Sequence, residues 1–124
     1  MRLKTFFIIG AISIGLWSCK TASPVAEGSR AEIKELVMSP ETTLVDVRIP
    51  EEFLEKTAEG AVNIPLAKIE DNLDFFRKQK QVVLFCNRGR QSEEAIKILK
   101  KNGITNVYSG KTVQNIDAIK NERK

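Results

Sequence analysis

The chain has 124 residues, 42% of them hydrophobic and 29% charged, which leaves room for one globular domain with a modest core. Its formal charge is +4, from 20 Lys and Arg against 16 Asp and Glu that are scattered along the chain, so the balance does not call for a nucleic-acid partner. Histidine is absent, which excludes a Ser-His-Asp triad, a Cys-His pair and a histidine-ligated metal site.

The chain opens on an address. Met1-Arg-Leu-Lys4 is a short basic start, and Phe6 to Leu16 is an apolar run broken only by Gly and Ser. A run of about eleven residues suits the hydrophobic part of a secretory signal, whereas a membrane-spanning helix needs about 20. The run ends in Leu16-Trp17-Ser18-Cys19, which resembles a bacterial lipobox, with Leu three residues before Cys and a small residue directly before it. The resemblance implies that residues 1–18 are a lipoprotein signal and that Cys19 is acylated. The protein would then be exported and tethered through Cys19 to a membrane, facing the periplasm, with the outer membrane as the expected site. Residues 19–28, small, polar and proline-containing, read as a flexible tether. Residues 29–124 are left as the domain, expected to be a monomer. An acylated Cys19 can neither pair with Cys86 in a disulfide nor act as a nucleophile, so Cys86 becomes the free thiol.

Ser29-Arg-Ala-Glu32 is a capping-box pattern ahead of Ile33, Leu36 and Val37, predicting an amphipathic helix that Ser39-Pro40 stops. Thr43 to Val47 is β-branched and apolar, as a buried parallel strand should be. Pro50 opens a short helical turn, and Ala61 to Pro65 reads as extended because the residue before Pro disfavours helix. Ile69, Leu73 and Phe76 predict a helix over residues 66–78. Gln81 to Phe85 is the most strand-like run and ends directly on Cys86. A polar loop follows, then helical spacing from Ser92 to Lys101 with Asn102-Gly103 as the exit. Ile104 to Tyr108 predicts a further strand, and Val113, Ile116 and Ile119 a closing helix. Strands alternating with helices imply an α/β fold, a mostly parallel sheet covered on both faces.

In open α/β sheets ligands sit at the carboxyl ends of strands, and Cys86 falls there. A buried, inert cysteine is the bland reading. Against it, residues 87–91 are polar or Gly, so the thiol should border a polar loop and not a core. The following helix would point its positive end at that loop. Gly89 permits a turn that a β-carbon would resist, which suits a cradle of N–H groups around an anion. Arg88 and Arg90 add positive charge, and together these favour a reactive thiolate.

At this point the chain resembles the rhodanese homology domain, over roughly Ser29 to Asn121. The matching pieces are Leu44-Val-Asp-Val-Arg48 with Pro50-Glu-Glu-Phe53, then Gly60-Ala-Val-Asn-Ile-Pro65, then Cys86-Asn-Arg-Gly-Arg-Gln-Ser92. The last is similar to the loop of small single-domain periplasmic sulfurtransferases. The resemblance implies that Cys86 is the catalytic nucleophile, taking a sulfane sulfur from a thiosulfate-like donor and passing it to a thiophilic acceptor. Asn87, Arg88, Gly89, Arg90 and Gln91 would form the substrate-binding loop, with Asp46, Arg48 and Ser92 as its structural support. Arg48 would pair with a carboxylate, for which Glu52 is the local candidate. Neither a metal nor an organic cofactor is implied.

The chain departs from the family pattern at three places. Lys56-Thr57-Ala58 stands where Gly-His-Ile is common, Gln91 where Arg is common, and Ser109-Gly110-Lys111 where a Gly-Gly pair is common. A phosphatase on the same fold would need Cys-x5-Arg, and the sixth residue after Cys86 is Ser92. A thiol oxidoreductase would need a second cysteine close by. A non-catalytic rhodanese-like binding module is the competing reading from a different class.

Overall fold

The computed structural model describes residues 29–122. The signal, Cys19 and the tether lie outside those residues. Ser29 caps the first helix, α1 (Arg30–Met38), as a complete capping box: its hydroxyl accepts from the Glu32 N–H and its own N–H donates to Glu32. Strand β1 (Thr42–Asp46) follows, then the short helix α2 (Pro50–Glu55), strand β2 (Val62–Asn63) and helix α3 (Leu73–Arg77). Strand β3 (Gln81–Cys86), helix α4 (Arg90–Lys101), strand β4 (Val107–Thr112) and helix α5 (Val113–Asn121) complete the order.

The sheet has four strands in the order β2-β1-β3-β4, with every pair parallel. Side chains alternate between its faces. Val82, Leu84 and Cys86 of β3 join Val45 and Val47 against α3 and α4, with Phe76, Ile96 and Leu99 filling that layer. Val83 and Phe85 face the other way, against Ile33 and Val37 of α1 and Ile116 and Ile119 of α5. Burying each such side chain is worth about 1.5–3 kcal/mol, so both layers are needed to hold so small a sheet. After β1 the chain leaves for β2 on one side and returns to β3 on the other. The carboxyl ends of β1 and β3 therefore flank the switch point where this class of sheet binds ligands.

Three boundaries differ from the sequence expectation. The helix expected over residues 66–78 is interrupted: Leu66–Lys68 and Glu70–Asn72 are tight turns, and only Leu73–Arg77 is α-helical. Asn72 explains part of the break, since its side chain donates to the Lys68 carbonyl and its own φ of −123° is not helical. The strand expected from Ile104 begins at Val107. Gly103, at φ 83°, closes α4 in a Schellman arrangement, with Ile104 N–H bonded to Leu99 O at 2.9 Å and Gly103 N–H to Lys100 O at 3.0 Å. Ile104 is thus committed to ending a helix and is not free to start a ladder. Helix α4 begins at Arg90, two residues before Ser92.

Candidate active site

Strand β3 ends on Cys86 and the chain must turn at once into α4. Gly89 makes the turn at φ 89°. A β-carbon there would have room, its nearest neighbours being Lys111 Cα and Cβ at 3.9 Å; the obstacle is backbone strain, about 1–2 kcal/mol for an L-residue. With Gly89 as the cap, the first-turn N–H groups of α4 have no intrahelical partners, and the positive end of the helix faces the loop. The Gly89 N–H already donates to Cys86 Sγ at 2.9 Å.

Cys86 departs from expectation in one respect. Its side chain is only 1% exposed and belongs to the apolar layer with Val45, Val47 and Leu84. It does not simply border the polar loop, because the period-two alternation of β3 turns it inward beneath α4. The residue still lines a cleft of about 540 Å³. The exposed residues Asn87, Arg88, Arg90 and Gln91 line one side of that cleft, and Ile49 and Glu52 the other.

Behind the sulfur lies a hydroxyl pair, half of which the sequence reading missed. Ser92, at the third position of α4, donates to Gly89 O at 3.0 Å, and its oxygen is 3.8 Å from Sγ. Ser109 Oγ, on β4, is 3.1 Å from Ser92 Oγ. With the Ser92 proton on the Gly89 carbonyl, Ser109 supplies the proton between the two hydroxyls, while accepting the Lys111 N–H at 3.2 Å. The Lys111 carbonyl in turn stands 3.7 Å from Sγ.

This contact depends on a bulge, since Leu84 pairs with Ser109 but Phe85 pairs with Lys111. Gly110 is the extra residue. A β-carbon there would come within 2.6 Å of Ile116 and 2.7 Å of Val83. Lys111 is left at φ 70°, a left-handed conformation unusual for a residue with a side chain. The sequence signal was present, as the departure from a Gly-Gly pair, but nothing local says that this stretch lies against Cys86.

Arg48 reaches the loop through Asn87, and its carboxylate partner is not the one expected. The carboxylate that Arg48 pairs with is Asp46, not Glu52: Arg48 Nε and Nη2 donate to Asp46 at 2.9 and 2.7 Å. Glu52 instead accepts from Asn87 Nδ2 at 3.2 Å. The remaining Arg48 nitrogen, Nη1, donates to Asn87 Oδ1 at 3.1 Å, so Asn87 is held from both ends of its amide. Arg48 Nη2 also closes on the Lys56 carbonyl at 2.6 Å, and Thr57 donates to Asp46 at 2.8 Å. Thr57 is therefore a working part of the support and not a neutral surface change. The Arg48 guanidinium is held above its ordinary pKa, chiefly by the hydrogen bond to Asp46; burial opposes this, and the negative charges of Asp46, Glu52 and Cys86 add to it. The whole is an anion-stabilising pocket around a sulfur: a backbone donor on Sγ, a helix start, and two exposed arginines.

Among known proteins, the family model of the rhodanese-like domain matches residues 29–111. The thiosulfate sulfurtransferase PspE of Escherichia coli (strain K12) is 35% identical over 74 residues, which is 58% of this chain and 71% of that protein. YrkF of Bacillus subtilis (strain 168) is 33% identical over 96 residues, 77% of this chain; the chain spans 52% of its length. A solved structure of a rhodanese with anions from E. coli is 33% identical with a TM-score of 0.55, covering 60% of this chain and 89% of the other.

Proposed function

The chain belongs to the rhodanese-like domain family, and from that membership we propose that it is a sulfurtransferase whose sulfur carrier is Cys86. The observation that carries this reading is the Gly89 N–H directed at Sγ, 2.9 Å away, in a residue that lines the cleft. In the loading step the Cys86 thiolate attacks the outer sulfur of thiosulfate. A new S–S bond forms, the S–S bond of thiosulfate breaks, and sulfite leaves with the electron pair. Cys86 is left as a persulfide whose negative charge lies on the outer sulfur. The N–H groups of residues 87–91 then hold that charge, with Arg88 and Arg90 drawing the anionic donor in. No base is needed, since the nucleophile reacts as the thiolate.

Intact-mass analysis of the soluble domain tests this. Thiosulfate should add the mass of one sulfur atom, cyanide should remove it as thiocyanate, and Cys86→Ser should abolish both. Full transfer in that variant would refute the assignment of Cys86. The near-complete burial of Cys86 favours a second reading, a binding module with a structural cysteine. Failure of the wild-type domain to take sulfur from thiosulfate or any polysulfide would establish that one.

The same proposal includes export and acylation of Cys19, resting on the Leu-Trp-Ser-Cys signal. Cys19→Ala should leave an unprocessed precursor without labelled glycerol or fatty acid. Equal labelling of wild type and variant would end it.

A further inference from the structure

We propose that Glu52 tunes the charge preference of the cleft, weakening the pull of Arg88 and Arg90 on doubly anionic sulfur compounds and favouring, among acceptors, thiols that carry a cationic group beside the sulfur. The proposal rests on Cys86 being the sulfur carrier and deepens that reading to a substrate class.

Among the described residues Glu52 is the one carboxylate lining the cleft that contains Cys86, and it belongs to α2, across from the loop of Arg88 and Arg90. It is half-buried, and among the described residues no Lys or Arg forms an ion pair with it. The nearby guanidinium of Arg48 forms its ion pair with Asp46, and two further protons go to Lys56 O and Asn87 Oδ1. The polar contact Glu52 does make is a neutral one, from Asn87 Nδ2 at 3.2 Å. A glutamine would accept that hydrogen bond equally well, so what distinguishes Glu52 at this position is its charge.

A carboxylate without an ion-pair partner, beside a pocket suited to anionic sulfur, makes the cleft bipolar, with the cations of Arg88 and Arg90 on one wall and an anion on the other. Beside Glu52, Ile49 presents an apolar surface, 53% exposed. A small thiol with an ammonium group and a short carbon stem meets all three features, whereas thiosulfate meets one and is opposed by another. In the unloading step the acceptor sulfur attacks the outer sulfur of the Cys86 persulfide and the S–S bond breaks. Cys86 leaves as thiolate, and the proton of the acceptor thiol ends on the outgoing persulfide. A cation on the acceptor is attracted to Glu52 throughout this step. At the separations of a small cleft open to water, one such charge is worth roughly threefold to tenfold in rate, less at high salt.

Glu52→Gln tests this by removing the charge and keeping the hydrogen bond to Asn87. The first measurement is alkylation of Cys86 by iodoacetate and by iodoacetamide, read by mass, because their ratio reports charge whether or not sulfur is transferred. The ratio should rise roughly threefold to tenfold in Glu52→Gln at low salt and converge on the wild-type value at high salt. The second measurement is unloading of the persulfide by cysteamine and by mercaptoacetate, each relative to neutral 2-mercaptoethanol. Cysteamine should slow in the variant and mercaptoacetate should quicken. An unchanged iodoacetate ratio, or an equal change for all three acceptors, would overturn the proposal and assign Glu52 to holding Asn87 alone. Absence of sulfur loading in the wild type would instead refute the sulfur-carrier reading, with the alkylation ratio still deciding the charge field of Glu52.

Discussion

Two clusters in this molecule use the same chemistry in different surroundings. At the carboxyl end of β1, Arg48 grips Asp46 with side chains 8% and 0% exposed, and both carboxylate oxygens and all three guanidinium nitrogens have partners. Between α1 and α5, Arg30 and Lys34 grip Glu122 at 2.9 and 2.6 Å, yet those side chains are 41% exposed or more. The distances are alike and the consequences are not. A buried pair is no great source of net stability, but removing one partner strands a charge away from water; an exposed pair is replaced by water almost without loss. The first cluster therefore fixes the loop around Cys86 through Asn87, while the second only fastens two helix ends.

Substitutions in the two clusters should separate widely. Asp46→Ala should lower stability by about 3–5 kcal/mol in urea unfolding, because Arg48 is left buried without its carboxylate. A loss below 1 kcal/mol would collapse the contrast. Ser109→Ala extends the test to neutral groups in the same buried region. It removes the acceptor of Lys111 N–H and the donor to Ser92, and should cost about 1–3 kcal/mol. It should also slow sulfur loading in protein that remains folded, and Ser109→Thr should restore part of the rate.

Gly89→Ala should cost about 1–2 kcal/mol through φ alone, since the added carbon has space. Loading should fall further than stability, because the strained loop misaims the N–H that now meets Sγ. Loading that tracks stability alone would count against the cradle.

Glu122→Gln should leave the urea midpoint at the wild-type value in physiological salt, with any difference confined to low salt. Its carboxyl is held below the ordinary range, chiefly by the hydrogen bond from Lys34. Whatever it contributes is present above the unfolded pKa and is lost as pH falls through the lower native value. Arg48 runs the other way. Its native pKa is raised, so its contribution is whole below the unfolded value and is lost only as pH rises through the native one, in strong alkali. Protonation of Arg48 therefore adds no pH dependence in the neutral range. At low salt, where a difference is expected, a urea midpoint that moves with pH in Glu122→Gln as it does in wild type would remove the exposed cluster from the account.

By itself the sequence determined most of what depends on neighbours in the chain. The Ser29–Glu32 box starts α1, Asn102-Gly103 ends α4, and the unbroken apolar run of Val82 to Phe85 makes β3 a buried strand. Cys86 at the end of that strand, followed by a glycine able to turn, marked the candidate site, because strand, turn and helix start are local decisions of backbone and side-chain sterics. Tertiary structure alone decided the matters that depend on register and on facing layers. The bulge at Gly110 brings the Lys111 carbonyl to Cys86 across 25 residues of chain, and β4 brings Ser109 to Ser92 across 17. Alternation on β3 buries the cysteine beneath α4, and the geometry of Arg48 selects Asp46 over Glu52. These outcomes turn on distances of a few ångströms between elements remote in sequence. Those distances are fixed only when the apolar faces pack and each buried donor must find its acceptor.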